Sequence, residues 1–159
     1  MNLYQIRNIL TTGKKLVELP LRVTFYARVS TDHEEQLNSL ENQVMYFENY
    51  IKGQDNWTFV AGYVDEGISG TSVNKRDNFL KMINDAKTGK FNLILTKEIS
   101  RFSRNTVDSI KYTQELLANN VGVFFLNDNI NTFDSDSELR LTIMSSIAQD
   151  EVRKLSERI

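Results

Sequence analysis

Cysteine is absent from this chain, proline and histidine occur once each, and no apolar run approaches the length of a membrane span. Without cysteine there is no disulfide framework, no thiolate zinc site and no cysteine nucleophile. The lone histidine, His33, stands in a polar stretch between Asp32 and Glu34, where a solvated side chain is the ordinary reading and a general base the rarer one. The N-terminus has no secretory apolar segment with a cleavage site, and the lack of cysteine fits a cytoplasmic protein. A cationic excess is missing too. The 19 Lys and Arg residues against 21 Asp and Glu give a net charge of −2, whereas a free-standing DNA-binding domain is usually basic. Nothing matches Gly-x4-Gly-Lys-Ser/Thr, and no Gly-x-Gly-x-x-Gly follows the first apolar segment, so neither common nucleotide-binding loop is present.

What is there is an ordinary globular composition: 159 residues, 40% hydrophobic and 25% charged, enough for one domain with a proper core. Residues 1–20 carry weak periodicity, end at Pro20 and read as an appended segment. Arg22 to Ala27 is rich in β-branched and aromatic residues and reads as a strand. Leu40, Val44, Phe47 and Ile51 mark one helix face, with Ser39 as its N-cap. Trp57 to Val64 is a second strand. Phe79, Met82, Ile83 and Ala86 form a second amphipathic helix that stops near Gly89. Phe91 to Thr96 is a third strand, and a helix opened by Asn105 and Asp108 buries Val107, Ile110 and Leu117. Val121 to Leu126 is a fourth strand, and Ser135-x-x-Glu138 has the spacing of a capping box for the last helix.

Alternating strands and helices predict an α/β fold, a mostly parallel sheet flanked by helices. The chain divides into the leader 1–20, a core 21–136 and a long helix from 137 to 159. That last pattern reaches Ile159 without Gly, Asn or Pro, which reads as a cut inside a longer helix. Its apolar positions 139, 143, 147, 155 and 159, with 144, 148 and 152, continue past what a small domain can cover, so self-association through this helix is expected.

In open α/β sheets ligands bind beyond the carboxyl ends of the strands. The loops there, 28–38, 65–76, 97–105 and 128–135, hold Arg28, Ser30, Asp65, Arg76, Lys97, Arg101 and Arg104. A serine among arginines, without a histidine base, suits attack on a phosphodiester. Guanidinium groups stay charged at any working pH and offer forked donors to phosphate oxygens and to a developing alkoxide. Each piece also has a plainer reading: Ser30-Thr31-Asp32 as turn residues, the Lys97–Arg104 segment as a solvated basic loop. Asp65-Glu66 at a strand end invites a metal reading, which the scarcity of further carboxylates nearby disfavours.

Taken together, four segments resemble a known family. Tyr-Ala-Arg-Val-Ser-Thr-Asp at 26–32, Asp-Glu-Gly-Ile-Ser-Gly at 65–70, Ser-Arg-Phe-Ser-Arg-Asn at 100–105 and Ala-Gln-Asp-Glu…Ser-Glu-Arg at 148–158 are similar, in order and spacing, to the catalytic domain of the serine recombinases, the resolvase/invertase family. The resemblance covers roughly 21–159. The leader and the lengthened stretch from Asp32 to Gln43 are similar to the large members, the integrases and transposases of phages and conjugative elements.

The resemblance implies that Ser30 attacks double-stranded DNA to form a 5′-phosphoserine link. A tetramer would cut all four strands, rotate one half and rejoin, with neither metal nor nucleotide as cofactor. Arg28, Arg101 and Arg104 would surround the scissile phosphate, Arg76 and Lys97 would assist, and Gln43 and Asp65 would order the site. Glu157 would lie on the long dimerisation helix. DNA-recognition domains would follow Ile159, and an accessory protein could set direction. Two positions depart from the pattern: Ser100 stands where many members have Asp, and Val152 where small resolvases often have Arg. A non-catalytic assembly module and a domain that clamps a small phosphorylated metabolite are the alternatives.

Overall fold

Parallel β-strands form the centre of the molecule, and the computed structural model describes residues 1–30, 34–67, 76–103 and 106–157 of it. The strands are β1 (Arg22–Ser30), β2 (Thr58–Gly67), β3 (Leu93–Thr96), β4 (Gly122–Phe125) and β5 (Ile130–Asn131). The helices are α1 (Leu3–Thr11), α2 (Glu34–Lys52), α3 (Asp77–Ala86), α4 (Ile99–Phe102), α5 (Thr106–Ala118) and α6 (Ser137–Glu157). The sheet order is β2-β1-β3-β4-β5, with the first four strands parallel and β5 antiparallel to β4. This is the α/β, mostly parallel architecture that the alternation of patterns predicts.

Central strands covered on both faces must be apolar on both, and β1 is: Val23, Phe25, Tyr26 and Ala27 are all buried. The two-residue period then sorts the core into layers. Val23, Phe25, Ala27, Leu93 and Leu95 point into one cluster with Phe47 and Ile51 of α2 and Ile6 of α1. Tyr26 and Ile94 point into the other, with Phe79 and Met82 of α3, Leu116 of α5, Phe102 of α4 and Leu141 of α6.

Several local expectations shift. Ser39 lies inside α2, which begins five residues earlier at Glu34, so it is not the cap. Val107 is 73% exposed; α5 turns Leu116 inward together with Ser109 and Thr113, two polar residues that a hydropathy pattern passes over. α6 starts at Ser137, whose amide donates to the Asp134 carbonyl at 3.2 Å. β5 is too short to show a period at all. Gly89, with φ +76°, does end the α3 segment as its position predicts.

Residues 1–20 are packed into the molecule. Asn2 and Gln5 form a reciprocal capping box at the start of α1, and Ile6 is fully buried. The Leu3 amide donates to Asn120 Oδ1 at 2.9 Å, and Arg7 Nε donates to the Phe133 carbonyl at 2.8 Å just before α6. Trp57 Nε1 donates to the Leu16 carbonyl at 3.2 Å. Ile6→Ala is therefore expected to cost about 2–5 kcal/mol in urea denaturation, the range for emptying a buried site, whereas a loosely attached leader would give a change near zero.

Candidate active site

The carboxyl ends of β1, β2 and β3 lie along one edge of the sheet, and register brings the sequence-distant groups side by side. Arg28 pairs with Asp65 and Ser30 with Gly67. Tyr26 and Arg28 share one face of β1, since they are two residues apart. Arg28 is half-buried, and Ser30 is the last residue of the strand. The Ser30 side chain lies outside the described residues, as do Asp32, His33 and Arg104.

Asp65 organises this edge. It is 5% exposed, and both its oxygens accept hydrogen bonds: Oδ1 from the Asn78 amide at 3.0 Å, Oδ2 from the Phe79 amide at 2.9 Å and from the Tyr26 hydroxyl at 2.8 Å. A buried carboxylate needs such donors. The two amides belong to the first turn of α3, where a helix leaves its N–H groups without partners. Asp65 thus caps a helix that begins twelve residues further along the chain, at Asp77, and the Asn78 side chain returns a bond to the Val64 carbonyl at 2.7 Å. Any cation at Asp65 would have to displace these donors. Among the described residues no three acidic or imidazole side chains gather as a metal site.

Arg76 is drawn into the same network. Its guanidinium carbon sits 3.8 Å from the Phe79 ring centroid and 5.4 Å from that of Tyr26. Nε donates to the Tyr26 hydroxyl at 3.4 Å, and Nη2 donates to the carbonyl of Phe102, the last residue of α4. Arg76 therefore binds the inner side of the site to α4. Burial pushes the Tyr26 hydroxyl up to about 12, against the pull of the Arg76 guanidinium.

α4 carries the next cation. Ile99 and Phe102 are buried and anchor it; Phe102 meets the rings of Phe79 and Phe125 edge-on at 5.1 and 5.5 Å. Ser100 and Arg101 are exposed on its outer side, and Lys97 is exposed just before it. Ser100 Oγ donates to Glu98 Oε2 at 3.3 Å.

Gln43 is half-buried on α2, in the layer that covers the opposite face of the sheet. Glu157 is exposed at the far end of α6. Of the residues singled out from sequence, then, Arg28, Asp65, Arg76, Lys97 and Arg101 stand along one edge with the backbone of Ser30, while Gln43 and Glu157 stand apart. Sequence reasoning did not assign Tyr26 a role, although its place two residues before Arg28 marks it as that residue's neighbour on the strand face.

Residues 23–159 match the family described as Resolvase, N terminal domain. The chain belongs to that family. The R46 site-specific recombinase of Escherichia coli is 32% identical over 140 residues, covering 87% of this chain and 66% of that protein. The Transposon Tn3 resolvase of Escherichia coli is 31% identical over 140 residues, covering 87% and 68%. This chain thus spans about two thirds of the length of these relatives. Among solved structures, a resolvase family site-specific recombinase from Streptococcus pneumoniae superposes with a TM-score of 0.65 at 29% identity, covering 87% of this chain and 92% of that one. The N-terminal catalytic domain of TP901-1 integrase gives 0.52 at 28%, covering 84% and 98%.

Two measurements probe the network in this resolvase-family domain. Asp65→Asn keeps the shape but turns an acceptor into a donor facing donors. It is expected to lower unfolding free energy by about 1–3 kcal/mol, read by urea denaturation; an unchanged midpoint would deny Asp65 its organising place. Because the folded state raises the Tyr26 hydroxyl above its unfolded value near 10, its stabilising share is complete below about pH 10 and lost as pH rises toward 12. The unfolding free energy from urea denaturation between pH 9 and 12 should therefore fall more steeply for the wild type than for Tyr26→Phe.

Proposed function

We propose that this chain is the catalytic domain of a site-specific DNA recombinase in which Ser30 is the nucleophile. The hydroxyl oxygen of Ser30 attacks a phosphodiester phosphorus, its proton leaves, the P–O3′ bond breaks, and a 5′-phosphoserine link and a free 3′-hydroxyl result. Rejoining is the reverse, with a 3′-hydroxyl of the exchanged strand attacking the phosphoserine. One phosphodiester is exchanged for another at each step, so no nucleotide is consumed and no cofactor takes part. Arg28, Arg101 and Arg104 contact the phosphate, where fixed guanidinium donors balance the charge that builds on its oxygens. Lys97 adds charge at the rim. Arg76, Asp65 and Gln43 act from behind by fixing the strand ends, and Glu157 lies on the oligomerisation helix.

The observation that carries this reading is the shared edge: Ser30 ends the strand that presents Arg28, next to a one-turn helix that presents Arg101. The resolvase and integrase names of the relatives support the same substrate. Self-association is supported by α6, where Leu139, Ile143, Ile147 and Leu155 are 50–66% exposed. We take the partners to be double-stranded DNA and further copies of this chain, as dimer and then tetramer, with an accessory protein governing direction. No helix among the described residues is long and apolar enough to cross a membrane. The boundaries at 20 and 136, with DNA-recognition domains beyond 159, belong to this proposal.

The deciding experiment is a covalent trap in EDTA, on a duplex spanning the junction of the genetic element that encodes the protein. A denaturant-resistant protein–DNA adduct is expected from the wild type and none from Ser30→Ala. Arg101→Ala should form it about 10²–10³ times more slowly, the usual loss for one well-placed charge-stabilising donor. An adduct that survives Ser30→Ala would end the serine mechanism.

A further inference from the structure

The turn between β4 and β5 makes a set of contacts that the reaction as proposed does not use. Its backbone is locked to the end of β3: the Leu126 amide donates to the Thr96 carbonyl and the Asn127 amide to the Lys97 carbonyl, both at 2.9 Å. Asn129 then takes a left-handed conformation, φ 51°, which reverses the chain so that Ile130 pairs back onto Phe125. From this fixed turn two side chains reach the start of α4. Asp128 Oδ2 accepts the Ile99 amide at 3.1 Å, and Asn127 Nδ2 donates to Glu98 Oε1 at 3.1 Å.

A helix of four residues cannot hold its own shape in water, because nucleation fixes several dihedrals for a single hydrogen bond. α4 has one backbone bond that closes its turn, from the Ser103 amide to the Ile99 carbonyl at 3.0 Å, and one at its entry, from Arg101 to the Glu98 carbonyl at 3.1 Å. Glu98, its N-cap, makes no capping bond of its own. Asp128 takes over that task from another loop. Ile99 and Phe102 fix how deep the turn sits; Asp128 and Asn127 fix its rotation, and with it the direction in which Arg101 leaves the surface.

We propose that Asp128, assisted by Asn127, is a positioning residue for Arg101. The proposal rests on the recombinase reading above and adds a residue to it that does not itself touch DNA. The acceptor oxygen, rather than the negative charge, is what positions. Asp128→Asn, which keeps a carbonyl oxygen, should therefore behave like the wild type, while Asp128→Ala should not.

The test uses the junction duplex in EDTA at saturating protein, together with amide hydrogen exchange of the free protein. For Asp128→Ala the rate of adduct formation is expected to fall about 10- to 100-fold, the scale for a small misplacement of a catalytic group, with duplex affinity within about twofold of the wild type. Exchange at the Ile99 amide should quicken about tenfold or more while the β3 amides keep their protection. Asp128→Asn should restore both. The proposal is overturned if Asp128→Ala cleaves at the wild-type rate, or if Asp128→Asn is as slow as Asp128→Ala. Equal loss of protection across β3 and α4, which would mark plain unfolding, also overturns it. If the wild type itself forms no adduct, the recombinase reading falls separately. The exchange arm then decides the brace: selective quickening at Ile99 supports it and an unchanged rate removes it.

Discussion

A carboxylate with 5% of its surface exposed, near the end of an edge strand, can stay there only with hydrogen-bond donors around it. Asp65 stays because the Tyr26 hydroxyl and two first-turn amides of α3 all point at it. That requirement fixes more than one residue. It sets where α3 begins, and with it Arg76, the residue just before the helix. It also holds Tyr26 in the rotamer that places its ring edge against Phe79, with centroids 5.1 Å apart. Arg76 then has the Phe79 ring beneath it and the Phe102 carbonyl in reach. A chain of dependence thus runs from β2 through β1 and α3 to α4, and each link is satisfied only when its neighbours are in place.

α4 shows how such a chain fixes an element that could not stand alone. Its N-terminal end meets the Asp128 carboxylate and its C-terminal end meets the Arg76 guanidinium. Those signs match the helix dipole, negative where free amides point outward and positive where free carbonyls do. The two groups come from loops on opposite sides, one after β4 and one before α3. A single helical turn is in this way held at both ends by the strand framework. Arg101, on its outer surface, acquires a defined position without any packing of its own.

Much of this architecture is visible in the sequence because its elements carry strong patterns: the continuous buried run of β1, and Phe79, Met82, Ile83 and Ala86 on one side of α3. The site residues are visible as chemistry, a serine and several cations at strand ends. What the sequence hides is division of labour. Arg76 and Arg101 look alike in a list of cations, yet one is stacked and hydrogen-bonded inward while the other faces solvent. Asp128 looks like a turn residue, and its role depends on a contact 29 positions back along the chain. α1 hides for a different reason: Leu3, Ile6, Ile9 and Leu10 do pack into the core, but the helix is short, and the polar bonds from Leu3 and Arg7 that join it to distant loops leave no local pattern. Val107 misleads because an apolar residue early in a helix reads as core, although this helix buries serine and threonine there.

The exposed residues of α6 differ among themselves in a way that bears on self-association. With about 100° between successive residues, Leu139, Ile143 and Ile147 advance slowly around the outer side of the helix. Leu155 falls elsewhere, in the angular sector of Met144, Ser137 and Leu141, which face the core. It is 61% exposed because it lies beyond the cover that α5, α4 and β5 give the earlier part of the helix. One apolar strip is therefore outward by orientation and another is inward but without a floor. A partner that satisfies both must lie along the helix and also beyond the end of the domain. The self-association proposed above would meet this requirement: a second copy of the same helix, related by a two-fold axis, would present each strip to its counterpart in an isologous contact. Asp150, Arg153 and Lys154, which lie along the sequence between Ile147 and Leu155, are tied to one another, Arg153 Nη2 to Asp150 at 2.9 Å and Lys154 Nζ at 3.7 Å. The Asp150 carboxylate is thus engaged within one chain, and the apolar strips are the surface that gains from being covered.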